Sequence, residues 1–203
     1  MAGAAEMTFF QNAHHIDKDI TLAINSFNCT FSDGLWQFFS YRNSWFILYF
    51  AIIVVLFVRL GWKKGLAALI ACILCIVCTD QTANLVKDFV QRLRPCWDGE
   101  MIARGLHVLE GRGGQYGFFS AHAANAMGMA ICTLFCFKED KKHSYRFYGT
   151  AMIIWALLVG LSRVFVGKHF LGDVTVGWAV GLIFGTALGL IAVRISRRWS
   201  QPS

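Results

Sequence analysis

Long apolar stretches broken by short clusters of charge dominate the chain. Five stand out, at roughly Ser44–Leu60, Gly65–Val86, Ala121–Phe137, Phe147–Leu161 and Val174–Val193. About 20 helical residues cross a bilayer core, with about 17 as a lower limit. The second and fifth runs meet this comfortably; the fourth is short and is expected to extend through Ser162. Strand spans would show short alternating segments separated by turn residues. The two prolines in the whole chain suit long helices instead. The expected fold class is all-α, a polytopic transmembrane helical bundle of five spans. Upstream, Ile20–Tyr41 is apolar in parts but carries Asn25, Asn28, Asp33 and Gly34. It reads as an N-terminal interfacial helical segment, with a sixth span as the alternative. The domain layout is then an amphipathic segment over 1–43 and a transmembrane bundle over 44–203, with an outer loop at 96–119.

Composition supports the membrane reading. The chain has 203 residues, 56% hydrophobic and only 15% charged, against about 25% charged in an ordinary soluble domain. Disorder is excluded, because it requires low hydrophobicity and high net charge. A water-soluble monomer of this size could not hide so much apolar surface. The net charge of +7 would suit a nucleic-acid partner in a soluble protein. Here the basic residues sit at the edges of apolar runs, so they report topology, and no nucleic-acid partner is expected. The opening MAGAAEMTFF has no Lys or Arg before its apolar residues and does not resemble a secretory signal peptide.

Charge then orients the bundle. Ten of the 19 basic residues fall in three short segments: Arg59, Lys63 and Lys64; Lys138, Lys141, Lys142 and Arg146; Arg194, Arg197 and Arg198. Short basic loops lie in the cytoplasm. Segments 87–120 and 162–173 therefore face the other side, the periplasm in a bacterium or the lumen of a eukaryotic internal membrane. The expected location is the bacterial inner membrane, with the site facing the periplasm. Trp45, Trp62, Trp97 and Trp199 fall near span ends, where interfacial aromatics are expected.

The same non-cytoplasmic face collects the unusual polar residues. Lys87 closes the second span and Arg94 follows. Ser120 and His122 open the third. Ser162 and Arg163 close the fourth, and His169 and Asp173 stand between the fourth and fifth. Taken singly, each has an ordinary explanation. A Lys or Arg at a span end snorkels to the headgroups, and a helical Ser bonds its own backbone. Taken together, three cations, two His, one Asp and two Ser are what an anionic tetrahedral group needs. Arg offers a bidentate fork to phosphate oxygens and Lys a point charge. A helix N-terminus near Ser120 adds backbone N–H donors. One His can attack phosphorus while the other protonates the leaving oxygen, and an Asp four residues on can hold the attacking ring in one tautomer.

Three motifs carry a family resemblance. Lys87–Pro95 has the form Lys, six residues, Arg-Pro. Ser162–Asp173 has the form Ser-Arg, five residues, His, three residues, Asp. Phe119–His122, FSAH, lies between them. Together they resemble the signature of the type 2 phosphatidic acid phosphatase superfamily. The middle motif departs from the family's usual Pro-Ser-Gly-His, with Phe119 and Ala121 in place of Pro and Gly. The resemblance implies that His169 is the nucleophile that forms a phosphohistidine, that Asp173 orients it, and that His122 is the general acid and then the base. It implies that Lys87, Arg94, Ser120 and Arg163 cradle the phosphate oxygens. No cofactor and no metal are implied. His122, His169 and Asp173 are of a type that binds zinc, but three cations beside them oppose it. The implied partner is a membrane lipid phosphate: undecaprenyl pyrophosphate, a lipid A-type glycolipid phosphate, phosphatidylglycerol phosphate or phosphatidic acid. The oligomeric state is open. A lipid phosphotransferase is the alternative enzyme, and a transporter the alternative outside enzymes.

Other features have plainer readings. The loop 96–119 carries six glycines and either covers the site or simply connects. His107 within it reads as ordinary. Gly177, Gly181, Gly185 and Gly189 form a small-residue stripe for packing within the bundle, with a dimer interface as the alternative. Cys72, Cys75, Cys78, Cys132 and Cys136 read as small apolar residues, while Cys29 and Cys96 are candidates for a disulfide. Asp80 and Asn84 are costly inside a span and should face the bundle interior, supporting Lys87 or satisfying each other.

Overall fold

The computed structural model of the chain describes residues 9–199. The described residues form α1 (Phe9–Asn25), α2 (Thr30–Ser40), α3 (Phe46–Val90), α4 (Gly99–Ala103), α5 (Ala121–Phe137), α6 (Arg146–Phe165) and α7 (Leu171–Trp199). One-turn 3-10 helices at Arg42–Trp45 and Pro95–Trp97 precede α3 and α4. No strand occurs among the described residues, only an isolated antiparallel bridge between Leu93 and Tyr116. The all-α expectation holds.

The long helix α3 is broken at Gly61, whose φ of 75° and ψ of 173° lie outside the helical region. A residue with a side chain rarely adopts a positive φ, and glycine does so freely. A Cβ placed on Gly65 would lie 2.9 Å from the Phe57 ring. Eight residues of unbroken helix would separate those positions by about 12 Å, so the chain reverses at Gly61. The arms 46–60 and 62–90 run antiparallel and correspond to the first two apolar runs. With α5, α6 and α7 they make five apolar rods. Arg42–Val90, Arg146–Phe165 and Leu171–Trp199 are each long and apolar enough to cross a membrane, and α5 is a shorter apolar helix. The fourth run extends further than expected, through Phe165. Ile47, Val58, Leu85, Phe89 and Phe147 are more than two-thirds exposed on the outside of the bundle, which suits lipid as the surrounding solvent.

Helix α5 is the central rod, touching α3, α6 and α7. Its small side chains allow this: Ala123, Ala124, Ala126, Gly128 and Ala130 are all buried. The glycine stripe of α7 faces it. A Cβ on Gly185 would lie 2.6 Å from the Gly128 carbonyl oxygen, and one on Gly189 would lie 2.8 Å from Phe135 Cβ. The stripe therefore packs within the bundle, as expected. Cys72 and Cys132 meet in the same core, their sulfurs 3.9 Å apart. Cys29 and Cys96 do not pair. The Cys29 sulfur accepts from the Ser32 N–H at the start of α2, and Cys96 is buried with its thiol toward the Arg112 carbonyl.

The basic segments converge at one end of the bundle. Arg59 lies 2.8 Å from His143 Nε2, and Arg197 pairs with Glu139 at 2.7 Å. The opposite end is covered by α1 and α2, neither of which is long and apolar enough to cross a membrane. α1 lies across the ends of α6 and α7. The Asn25 amide donates to the carbonyls of His107, Val164 and Phe165, and Thr21 accepts from the Leu171 N–H. Trp36 of α2 stacks on Phe165, with ring centroids 4.0 Å apart.

Gly185→Val should lower thermal stability in detergent, because α5 and α7 must separate to admit the branched side chain. Overpacking of this kind costs about 1–3 kcal/mol. An unchanged melting temperature would show that the two helices are not locked at this contact.

Candidate active site

The residues singled out in the sequence meet at the end of the bundle covered by α1 and α2. A cavity of about 250 Å³ opens there. Lys87, Asn84 and Asp80 enter its wall from one face of α3. His122 and Ala121 come from the first turn of α5, Arg163 from the last turn of α6, and His169 from the turn beyond it. Arg94 and Arg42 complete the wall. Asp173 lies behind His169, fully buried.

Local structure explains each placement. Residues 92–94 run extended against 115–117: the Arg94 N–H donates to Gln115 O and the Gly117 N–H to Arg92 O. Alternation along an extended chain puts Arg92 and Arg94 on one side and Leu93 on the other. The Arg94 Nε–H then donates to Tyr116 O at 3.0 Å, which fixes the stem of its guanidinium. After α6 the chain turns sharply at Gly167, with φ of 76°. A Cβ there would also lie 2.9 Å from His107 O. This turn carries the backbone N–H groups of Lys168 and His169 back to Arg163 O and sets the His169 ring inward. Asp173 sits in the first turn of α7 and accepts from the Phe170 N–H at 3.1 Å, where a negative charge is favoured.

His169 Nδ1 stands 3.5 Å from Asp173 Oδ2, an ion-pair distance but not a hydrogen bond, and has no other hydrogen-bond partner. Burial, and then the positive charges of Arg163, Arg94 and Lys87, hold the His169 imidazole well below its ordinary pKa. The ring is therefore neutral at physiological pH, with a lone pair free for attack. Arg163 is buried. Its guanidinium donates to the Ser40 hydroxyl at the end of α2 and lies 3.4 Å from Glu110. Lys87 has no hydrogen-bond or ion-pair partner among the described residues, so its charge is available to a ligand. Ser120 is not among the side chains that line the cavity. It is fully buried as the N-cap of α5, accepting from the Ala123 N–H at 3.5 Å, and the cavity wall is formed by its neighbours Ala121 and His122. Ser162 donates to Val159 O within its own helix. Phe119, one of the departures from the motif, is buried beside Ala83 and Ala124. Among the described residues no three His, Cys, Asp or Glu side chains converge as metal ligands would.

Several participants were not singled out in the sequence. Arg92 donates to Asp173 Oδ1 and Asp17 Oδ2, each at 2.7 Å, and lies 4.1 Å from the centroid of the Phe170 ring. It ties α1 to the carboxylate behind His169. Nothing in its spacing marks it, although the extended run 92–94 would have placed it beside Arg94. Arg42, Ser40, Glu110 and Lys168 were also missed. Lys168 is buried and donates to Gly111 O, and with Glu110 it folds the loop 96–119 over the site. His107 holds the same loop to α1 and α2: its backbone N–H donates to Asn25 Oδ1, and its ring lies 3.0 Å from Asp33. The partner of Asp80 is Asn125 of α5, not Asn84.

A helical bundle with a lipid-facing exterior and a cation-lined cavity at one end defines a membrane enzyme built around an anionic group. The chain belongs to the PAP2 superfamily, whose sequence profile matches residues 64–197. It is 30% identical over 185 residues to a lipid A 4'-phosphatase of Bacteroides thetaiotaomicron, covering 90% of this chain and 80% of that protein. It is likewise 30% identical over 191 residues to a lipid A 4'-phosphatase of Porphyromonas gingivalis, covering 93% and 78%. The fold matches the crystal structure of a transmembrane PAP2-type phosphatidylglycerolphosphate phosphatase from Bacillus subtilis, with a TM-score of 0.71 and 19% identity over 95% of this chain and 90% of that one. The protein is an integral membrane lipid phosphatase, a phosphoric monoester hydrolase.

The state of His169 sets a pH dependence. A depressed histidine pKa leaves stability unaffected above about pH 6.5, where folded and unfolded chains are both neutral at this ring. Below that, the unfolded chain takes up a proton that the folded one does not, so stability falls with pH by up to about 1.4 kcal/mol per unit until the folded-state pKa is reached. Between pH 6.5 and 5 the wild type should lose thermal stability more steeply than His169→Asn. Parallel pH profiles would show that His169 is not held neutral.

Proposed function

We propose that His169 is the nucleophile of a two-step hydrolysis of a lipid phosphate. The observation that supports this most directly is a buried, neutral imidazole set before a buried carboxylate, in a cavity that also holds His122 and several cations. In the first step His169 Nε2 bonds to phosphorus. The ester P–O bond breaks, and His122 gives a proton to the departing lipid oxygen. The positive charge arising on His169 draws Nδ1–H toward Asp173, which Arg92 and the Phe170 N–H hold in place. In the second step His122 takes a proton from water, the water oxygen bonds to phosphorus, the P–N bond breaks, and inorganic phosphate leaves. Lys87, Arg94 and Arg163 bind the three non-bridging oxygens, whose charge grows in the transition state. Ser120 contributes by fixing the α5 N-terminus, whose free N–H groups face the phosphate. These cations supply the charge stabilisation that a metal would otherwise provide, so no step requires one.

A lipid A-type glycolipid phosphate is the leading substrate, supported by two relatives of that name matched over more than three-quarters of their length. The five-rod bundle from Phe46 onward carries most of the catalytic unit, and α1 and α2 form an added layer that braces it. Basic segments of this kind favour the cytoplasm, which supports a site on the periplasmic side of a bacterial inner membrane. The substrate tail would remain in the bilayer while the phosphate enters from the outer leaflet.

The purified enzyme should release phosphate from a lipid A-type 4'-phosphate. His169→Ala and His122→Ala should each reduce turnover by orders of magnitude without loss of membrane insertion, acid–base help alone being worth about 10²–10⁴. Retention of more than about a tenth of turnover in either variant would contradict the assigned roles.

Sidedness has its own test. Green fluorescent protein fused after Lys141 should fluoresce, and alkaline phosphatase inserted near Gly113 should be active. Both are read in a His169→Ala background, so that the protein's own activity does not contribute. The opposite pattern would place the site in the cytoplasm.

A further inference from the structure

A second, mostly apolar cavity of about 120 Å³ adjoins the cation-lined one, between the arms of α3, α5 and α6, lined by Trp45, Tyr49, Ile76, Met129 and Val159 among others. Arg42, Asp80 and His122 belong to the walls of both. Asp80 is the carboxylate at this junction, and its presence needs a cause. A carboxylate inside an apolar helix is expensive unless it is paired or used. No site cation lies within ion-pair distance of it: Arg163 meets Glu110, Arg92 meets Asp17 and Asp173, and Lys87, two turns along the same helix, attracts it only at longer range.

Its setting is built rather than incidental. The Asn125 amide donates to Asp80 Oδ1 at 2.8 Å, and Asn125 Oδ1 is in turn bonded to the Thr79 hydroxyl, which is anchored on the carbonyls of Cys75 and Ile76. This chain fixes one carboxylate oxygen. The other, Oδ2, has no hydrogen-bond partner among the described residues. An ionised carboxylate only accepts. The group next to it in a bound substrate should therefore be a donor, located where the phosphate ester joins the rest of the molecule.

We infer that Asp80 is a specificity-determining residue: it accepts a hydrogen bond from a hydroxyl or amide N–H beside the phosphate ester, and so favours lipid phosphates with a polar head over prenyl phosphates. This rests on the lipid phosphatase reading of the same cavity and names the substrate class within it. Two sources share the chemistry, the hydroxyls and acylamide of a phosphorylated sugar lipid and the hydroxyl of a glycerol phosphate headgroup. A prenyl phosphate has only hydrocarbon there.

The test is Asp80→Asn in the full-length protein in detergent. Asn125 continues to donate to the side-chain oxygen, so the new amide nitrogen faces the cavity and sets a donor against the substrate's donor. kcat/KM is measured on a lipid A-type 4'-phosphate, on phosphatidylglycerol phosphate and on farnesyl monophosphate. The last is a monophosphate without a donor, so charge is matched. The readout is the ratio of each polar-head substrate to farnesyl monophosphate within one preparation, which cancels any loss of folded enzyme. At least one ratio should fall about tenfold or more, the size expected for a hydrogen bond to a charged acceptor. The arm that falls identifies sugar or glycerol as the source. Ratios within about twofold of wild type on both arms would overturn the role of Asp80. A wild-type enzyme inactive on all three would instead overturn the phosphatase reading on which it stands.

Discussion

Like charges confined at one end of a low-dielectric bundle are the constraint around which this protein is organised. Arg42, Lys87, Arg94 and Arg163 share one small cavity, with the buried Lys168 nearby. At an effective dielectric constant of about 20, two unit charges about 6 Å apart repel by roughly 3 kcal/mol. Most of these cations are therefore tethered, yet enough of the site must stay uncompensated to attract a phosphate. Outer partners do the tethering: Tyr116 O for Arg94, Ser40 and Glu110 for Arg163, Gly111 O for Lys168. Lys87 keeps its charge open.

The parts of the chain outside the bundle follow from this need. The loop 96–119 supplies Glu110, the Gly111 carbonyl and the Tyr116 carbonyl. α1 supplies Asp17 to Arg92 and Asn25 to the carbonyls at the end of α6. Lys18 pins α1 to Asp98 and Glu100, each at 2.7 Å. These elements act on the site through geometry: Arg92 holds Asp173, Asp173 faces His169, and the Gly167 turn sets the ring. The network leaves His169 Nδ1 unbonded at 3.5 Å from its carboxylate. That slack fits a bond that tightens when the ring becomes positive, as catalytic hydrogen bonds often do only in the reacting complex.

The five apolar rods, the all-α class and the principal candidate site residues were legible in the sequence, because each rests on a local signal. Hydrophobic run length marks a span, and the clustering of basic residues marks one end. The motif spacing marks Lys87, Arg94, His122, Arg163, His169 and Asp173. The packing role of the glycine stripe was legible too, since a spacing of four puts small residues on one helix face.

What sequence could not decide was every pairing between segments distant along the chain. Arg92 meets Asp17 and Asp173 across 75 and 81 positions, and Arg163 meets Ser40 across 123. No local periodicity encodes such partners; they exist only once the helix ends are brought together. The same is true of Asp80, whose partner proved to be Asn125 on a neighbouring helix, and of Ser120, whose hydroxyl caps its own helix. Cys29 and Cys96 were candidates to bond by oxidising context alone, and the fold gave each sulfur a different neighbour. By itself the sequence determined which residues would stand at one end of a membrane bundle, because hydrophobicity and motif order act along the chain. Only the tertiary structure decided which of them touch, because tethering a set of like charges is a problem in three dimensions.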